Sequence, residues 1–407
     1  MRIRFSILLL FLSSFCFSQI IITGKVYEVN SVLQGAAVYL NNTMLGTTTN
    51  AKGEFTLPVK KGLYQLVISY LGYEKIIYNL NTSTYKKPLK FVLKETSNTL
   101  NEIVVKKTIY NQEWRYNLES FKKDFLGTTK FAEDCKIENP KVLHFDFNRK
   151  TNLLIAIARK PLIIKNKSLG YEIIYELDEF ERSNQTTVYL GYARYKTLKG
   201  GQRKQRKWAK NRLTAYNGSY LHFYQSILRN TTYKDGFLVH QFKRLPNPER
   251  PTALEIKKAQ TLIRLNLANL NFSKKIENPK TKLDSALVIS RKARLPKFKD
   301  YLYKSKVPIK DIIERKPNGT YFNFKHNLVL VYTKEKEEMA FILRNTFSKL
   351  RTPTYQTSTL LPNTMPIKIE KNGMLENPLA VLYEGYWSFE KFANSLPLDY
   401  VPVGSSQ

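Results

Sequence analysis

Residues Gly46–Tyr73 read GTTTNAKGEFTLPVKKGLYQLVISYLGY. Phe55, Leu57 and Val59 alternate with Glu54, Thr56 and Pro58, the period of two expected of a strand with one buried face. Asn50-Ala51-Lys52-Gly53 supplies a short polar loop whose glycine can take the left-handed conformation that closes a hairpin. Lys60-Lys61-Gly62 reverses the chain again, and Tyr64, Leu66, Ile68 and Tyr70 form the buried row of the next strand. Upstream, Thr23–Val26 and Gly35–Leu40 read as two more strands, with Ala36, Val38 and Leu40 facing inward. Lys75–Leu80 and Leu89–Lys94 complete the set. Strands this short, with turn signals at close spacing, predict an antiparallel β-sandwich.

Gly24, Gly35, Gly46, Gly53, Phe55, Gly62, Tyr64, Leu66, Ser69, Tyr70, Gly72 and Tyr73 all stand in register with the carboxypeptidase-regulatory-like domain, a transthyretin-like sandwich that this stretch resembles. The resemblance covers residues 20–95, under a quarter of the chain. In that family the module is a non-catalytic accessory, found beside peptidase domains and at the front of outer-membrane uptake receptors. It therefore implies a platform and no activity.

Residues 1–18 read as a secretory signal: Arg2 and Arg4, an apolar run from Phe5 to Phe17, then Cys16 and Ser18 at small-residue positions before Gln19. The run is shorter than the ~20 residues that a transmembrane helix needs, and Phe15 before Cys16 does not suit a lipoprotein. The expected mature chain is exported to the periplasm or outer membrane, has no transmembrane helix, and keeps Cys135 as its single cysteine, so no internal disulfide is expected. A hydrophobic content of 43% is ample for a core larger than one sandwich. The formal charge of +33 would ordinarily suggest nucleic acid, which export excludes. The anions left are lipid head groups, acidic glycans or an acidic envelope protein, and a generally basic exported proteome gives the same charge with no partner.

Leu100-Asn101-Glu102-Ile103-Val104-Val105 resembles the segment that joins this module to the plug of TonB-dependent receptors. A receptor barrel of about 22 strands, each about ten residues long, does not fit the remaining chain. Residues 96–110 are read instead as a linker, and 111–407 as an α+β domain on an antiparallel sheet. Val142–Asn148, Asn152–Lys165, Tyr171–Arg182 and Thr186–Leu198 read as a four-stranded meander. Trp208, Tyr216, Tyr220, Phe223 and Ile227 fall at helical spacing, which predicts one long helix over Arg206–Arg229. Later strands are expected at Ser285–Ser290 and Tyr321–Tyr332, a hairpin around Lys371-Asn372-Gly373, and a short helix over Trp387–Leu396 stopped by Pro397. The blocks FLGTTKFAEDCKIENP, KPLIIKNKSLGYEIIYELDEF and EGYWSFEKFANSLPLDYVP resemble an uncharacterised domain that often follows this sandwich in exported proteins.

Chemistry is sparse. A related zinc carboxypeptidase needs an HxxE pair, yet the third residues after His144, His222, His240 and His326 are Phe147, Gln225, Lys243 and Val329. No metal or cofactor is expected, and His144 and His326 read as half-buried strand residues. GxSxG is lacking, and Gly218-Ser219 falls inside the helical pattern. Glu172, Glu176, Asp178 and Glu179 cluster on one strand, as a solvated face or as part of a glycosidase carboxylate pair. Tyr189 and Tyr195 share a face, either to stack on sugars or to pack beneath a covering helix. Arg203, Lys204, Arg206, Lys207, Lys210 and Arg212 gather in the first turns of the expected helix, where cations oppose its macrodipole. They are the anion-contact candidates, against the plainer reading of a solvated face. Together these features predict a non-enzymatic envelope protein that binds or docks through its sandwich, with a hydrolase of envelope glycan or peptide as the alternative.

Overall fold

The computed structural model describes residues 19–29, 31–96, 108–184, 186–267, 276–344 and 350–402. Residues 1–18, read as the signal, and the Leu100–Val105 segment lie outside them.

Seven strands build the sandwich: β1 (Ile20–Tyr27), β2 (Ala37–Leu40), β3 (Gly46–Thr48), β4 (Glu54–Val59), β5 (Leu63–Ser69), β6 (Ile76–Asn81) and β7 (Leu89–Val92). One sheet runs β4-β1-β7 and the other β3-β2-β5-β6. Every pairing is antiparallel except β1 with β7. Alternation does what the sequence predicts: Phe55, Leu57 and Val59 are buried with Val38, Leu66 and Ile68 between the sheets. Gly53, at φ +69°, closes the β3–β4 turn, and an added Cβ would stand 2.7 Å from the Val26 carbonyl oxygen.

The rest of the chain forms two packed layers with separate cores. Helix α1 (Gln112–Phe125), capped by Asn111, covers a sheet of β8 (Cys135–Ile137), β9 (Leu143–Asn148), β10 (Leu153–Ala158), β11 (Leu162–Asn166), β12 (Tyr171–Arg182) and β13 (Thr187–Thr197). The strand order is β8-β11-β12-β10-β9, with β13 on the other edge of β12. This corrects the expected meander. Asn152–Lys165 is two strands, interrupted at Arg159-Lys160-Pro161, where proline has no N–H to give to a ladder. Both halves lie along one edge of β12, β11 against Tyr171–Tyr175 and β10 against Glu181 and Arg182. A bulge between Leu177 and Glu179 separates the two ends of β12.

Helices α2 (Gln202–Tyr216) and α3 (Tyr220–Arg229) replace the single helix expected over Arg206–Arg229. Gly218 at φ +75° breaks it, and the Ser219 side chain accepts the His222 N–H as the cap of α3. The second layer then follows: β14 (Phe237–Pro246), helices α4 (Ala253–Leu265) and α5 (Lys282–Lys292), β15 (Phe298–Lys304), β16 (Ile313–Lys316), β17 (Gly319–Phe322), β18 (Asn327–Lys336), α6 (Met339–Ile342), β19 (Tyr355–Pro362), β20 (Ile367–Ile369), β21 (Val381–Gly385) and α7 (Tyr386–Phe389). Its main sheet runs β15-β14-β18-β19-β21, beside a small sheet β16-β17-β20.

Three further expectations are corrected in this layer. Ser285–Ser290 lies in α5, which begins at a capping box between Thr281 and Asp284. Tyr321–Tyr332 divides into β17 and β18, which belong to different sheets, with His326 in the intervening turn at φ +64°. Trp387–Leu396 is not one helix: α7 ends at Phe389, and a 3₁₀ turn follows at Phe392–Asn394. The hairpin around Lys371-Asn372-Gly373 is present, with Ile369 bridged to Leu375.

The sandwich and the first layer are joined by hydrogen bonds. β13 is an edge strand, and the turn at Asn41–Met44 meets its exposed backbone groups. Asn42 N–H donates to the Ala193 carbonyl at 2.8 Å, Tyr195 N–H to the Thr43 carbonyl at 2.9 Å, and Leu398 N–H to the Asn42 carbonyl at 2.7 Å. Asp399 accepts the Met44 N–H at 3.1 Å.

Candidate functional site

The acidic cluster of β12 belongs to this junction. Glu176 accepts from the Tyr39 hydroxyl at 2.8 Å and stands 3.5 Å from the Lys75 ammonium, which also pairs with Asp178. Two of the four acids are therefore occupied in holding the sandwich, and the Lys75 ammonium lies 5.1 Å from the Tyr192 ring centre.

Helix α2 has two different faces. Arg203, Lys204, Arg206, Lys207 and Lys210 are exposed. Arg212 is drawn away from that group: its guanidinium donates to the carbonyls of Leu169 and Gly170 at 2.7 and 3.2 Å and lies 4.1 Å from the centre of the Tyr171 ring. Beside it Trp208 Nε1 donates to the Lys167 carbonyl at 2.8 Å and Asn211 to that of Ser168 at 2.7 Å. These donors satisfy the carbonyls of the turn that ends β11. Their contacts hold the helix in place although its first turn carries no acid and its N-terminus has no side-chain cap.

The four histidines stay apart. His144 is half-buried on β9, as expected of a strand residue, and His240 on β14 lies 3.2 Å from the Ser305 hydroxyl. His326 is exposed in its turn, edge-on to Tyr303, which corrects its placement in a strand. His222 is buried on α3, where burial pushes its pKa down to about 4, so it is neutral at pH 7. Its Nδ1 accepts the Gly218 N–H at 3.2 Å, and its Nε2 lies 3.5 Å from Asp235. Ser219 Oγ donates to the Tyr216 carbonyl at 2.7 Å while capping α3. The Ser219 hydroxyl thus serves the helix break and is not an activated nucleophile. Among the described residues no group of His, Cys, Asp and Glu is arranged to hold a metal ion. Cys135 is buried, and burial raises its thiol to about 12.

A cavity of about 380 Å³ opens at the seam between the two layers. From the first layer come Tyr175 on β12, Tyr189 and Tyr195 on β13 and Leu221 on α3; from the second come Tyr383 on β21 and Trp387 on α7. Tyr220 and Tyr224 of α3 stand between them. Tyr189 and Tyr195, paired on one face in the sequence, both line it, but Tyr189 packs edge-on against Phe125 of α1 and Tyr195 against Tyr171. Three of the phenols have hydrogen-bond partners: the Tyr224 and Tyr383 hydroxyls lie 2.6 Å apart, and that of Tyr195 is 2.9 Å from Ser395. Glu390, just beyond α7, is the single acidic residue of the lining among the described residues. Burial first, then the Glu338 carboxylate, pushes its pKa up to about 8, and Asn394 donates to it at 3.2 Å.

Sequence reasoning missed this cavity. Its one local signal was the EGYWSFEKF block, which contains Trp387 and Glu390.

Residues 22–105 match the CarboxypepD_reg-like domain family, so this segment is a carboxypeptidase-regulatory-like domain. TonB-dependent receptor P26 of Formosa agariphila is 36% identical over 94 residues, taking in 22% of this chain. The chain spans 9% of that receptor's length. Among solved structures, a DUF3823 family protein from Bacteroides ovatus aligns over 45% of this chain and 83% of its own, at 9% identity and a TM-score of 0.16. A 9R-lipoxygenase from Cyanothece aligns over 53% and 48%, at 7% identity and a TM-score of 0.16. Scores this low carry no argument about fold or activity.

Proposed function

We propose that this chain is an exported, non-enzymatic envelope protein whose sandwich is a rigid mount and whose seam cavity receives a ligand. The regulatory-like domain and its likeness to a region of a TonB-dependent receptor support the envelope. The division into a sandwich at 20–95, a linker at 96–110 and a larger α+β domain at 111–407 belongs to the same reading. One observation favours binding over hydrolysis: the cavity wall presents one carboxyl, Glu390, where glycoside hydrolysis uses two placed across the scissile bond.

Fractionation of cells expressing the full chain tests the envelope reading. The protein is expected in the periplasmic or outer-membrane fraction, shortened near Ser18, and recovery at full length in the cytosol would overturn it. The exposed cations Arg203, Lys204, Arg206, Lys207 and Lys210 fit anionic lipid head groups on the same reading. Co-sedimentation with phosphatidylglycerol vesicles should fall when Arg206 and Lys207 are changed to glutamate. Glu390 is the observation that favours the hydrolase, since an acid protonated at neutral pH is suited to general-acid work. Loss of envelope-glycan hydrolysis in Glu390→Gln would establish that alternative.

A further inference from the structure

We infer that the seam cavity binds an acyl chain ending in a carbonyl-containing head, with the chain along the aromatic wall and the head at Glu390. This deepens the binding reading above and rests on it. The cavity lies within the ~300–1,000 Å³ range of small-molecule sites and at a junction between layers, where such sites concentrate. Much of its wall is apolar or already hydrogen-bonded. Tyr224 and Tyr383 satisfy each other, Tyr195 is satisfied by Ser395, and Leu190, Leu382 and Phe392 are among the lining residues.

A sugar hydroxyl set against the leucines and Phe392 would be left unpaired, at about 1–3 kcal/mol each. An alkyl chain loses nothing comparable and gains by leaving water. Leu379 sits among the lining residues with 45% of its surface exposed, which marks the mouth and gives an apolar chain its first contact.

The head is placed by Glu390. Asn394 occupies its Oε1, and the protonated carboxyl has an O–H to donate to one acceptor. Because that carboxyl is uncharged near neutral pH, a carboxylic acid or an ester can approach it without repulsion between like charges. Free fatty acid and lysophospholipid share this chemistry and differ in the bulk beyond the carbonyl.

Titration of the purified full chain with the fluorescent amphipath N-phenyl-1-naphthylamine tests the inference, followed by displacement with oleic acid, lysophosphatidylcholine or maltohexaose. A saturable one-to-one signal displaced by oleic acid is expected, with no response to maltohexaose. Displacement by lysophosphatidylcholine as well assigns a lipid ester, and by oleic acid alone a free acid; either supports the inference. Leu379→Trp at the mouth should weaken oleic acid at least tenfold while leaving the circular dichroism unchanged. Glu390→Leu should weaken it similarly, and Glu390→Gln, which still donates a hydrogen bond, should restore it. Displacement by maltohexaose alone would overturn the acyl inference and leave the binding reading standing. Absence of any saturable signal would overturn both, and oleic acid binding undiminished in Leu379→Trp and Glu390→Leu would show that the site lies elsewhere.

Discussion

Glu390 ties stability to pH, and Glu390→Gln exposes the link. In an unfolded chain its carboxyl titrates near the ordinary value of 4.5, whereas in the fold it keeps its proton to about 8. Between those values the folded chain holds a proton that the unfolded chain has lost, so stability falls as pH rises through the window. Each pH unit there costs about 1.4 kcal/mol, and the loss by pH 8.5 is on the order of 3–5 kcal/mol. Burial causes most of this, Glu338 and then Glu335 add to it, and Asn394 and Lys130 oppose it. Glutamine keeps the shape and the acceptor for Asn394 but does not titrate. Urea unfolding of both proteins near pH 5, 6, 7 and 8.5 isolates the effect as a difference. The variant should match the parent near pH 5 and exceed it by on the order of 3–5 kcal/mol near pH 8.5. A difference that stays flat with pH, or that favours the parent at high pH, would refute the placement of Glu390 in a water-poor site.

Three other outcomes follow from the contacts. His222 is held neutral by burial, with its pKa down at about 4, so the unfolded chain binds the extra proton as pH falls below 6.5. Stability contributed by this group should therefore be lost on acidification between about 6.5 and 4 and kept above it, a slope that His222→Gln removes in urea melts. Tyr39→Phe deletes the hydrogen bond to Glu176 across the junction and should cost about 1–2 kcal/mol, read as an earlier melting of the sandwich in calorimetry. Trp208→Ala should cost about 3–5 kcal/mol because the indole fills the space beside Gly170 and Gly200, while Lys207→Ala at an exposed position should stay within about 0.5 kcal/mol.

Two of the differences between the expected and observed elements have a local signal in the sequence. Thr281 and Asp284 spell a capping box ahead of Ser285–Ser290, and the helix it starts runs through the β-branched Val288 and Ile289 despite their strand propensity. Gly218-Ser219 likewise combines a left-handed turn with an N-cap and so separates α2 from α3. Other differences had no local signal. That β10 and β11 share one edge of β12 depends on where a bulged twelve-residue strand bends, and Arg212 differs from Lys207 only because of the carbonyls that lie beneath it.

By itself the sequence determined the sandwich, since its hairpins join neighbours in the chain and its alternation selects the buried face within each strand. It also lacks the HxxE and GxSxG spacings by which such metal and nucleophile sets are recognised. Tertiary structure alone decided that Glu176 and Asp178 clamp the sandwich and that Glu390 faces a ring of tyrosines. Those partners are brought together by packing between β12, α3 and the last forty or so described residues, and burial, which sets both the charge state of Glu390 and the occupancy of each hydroxyl, is a property of the packed layers and of no single segment.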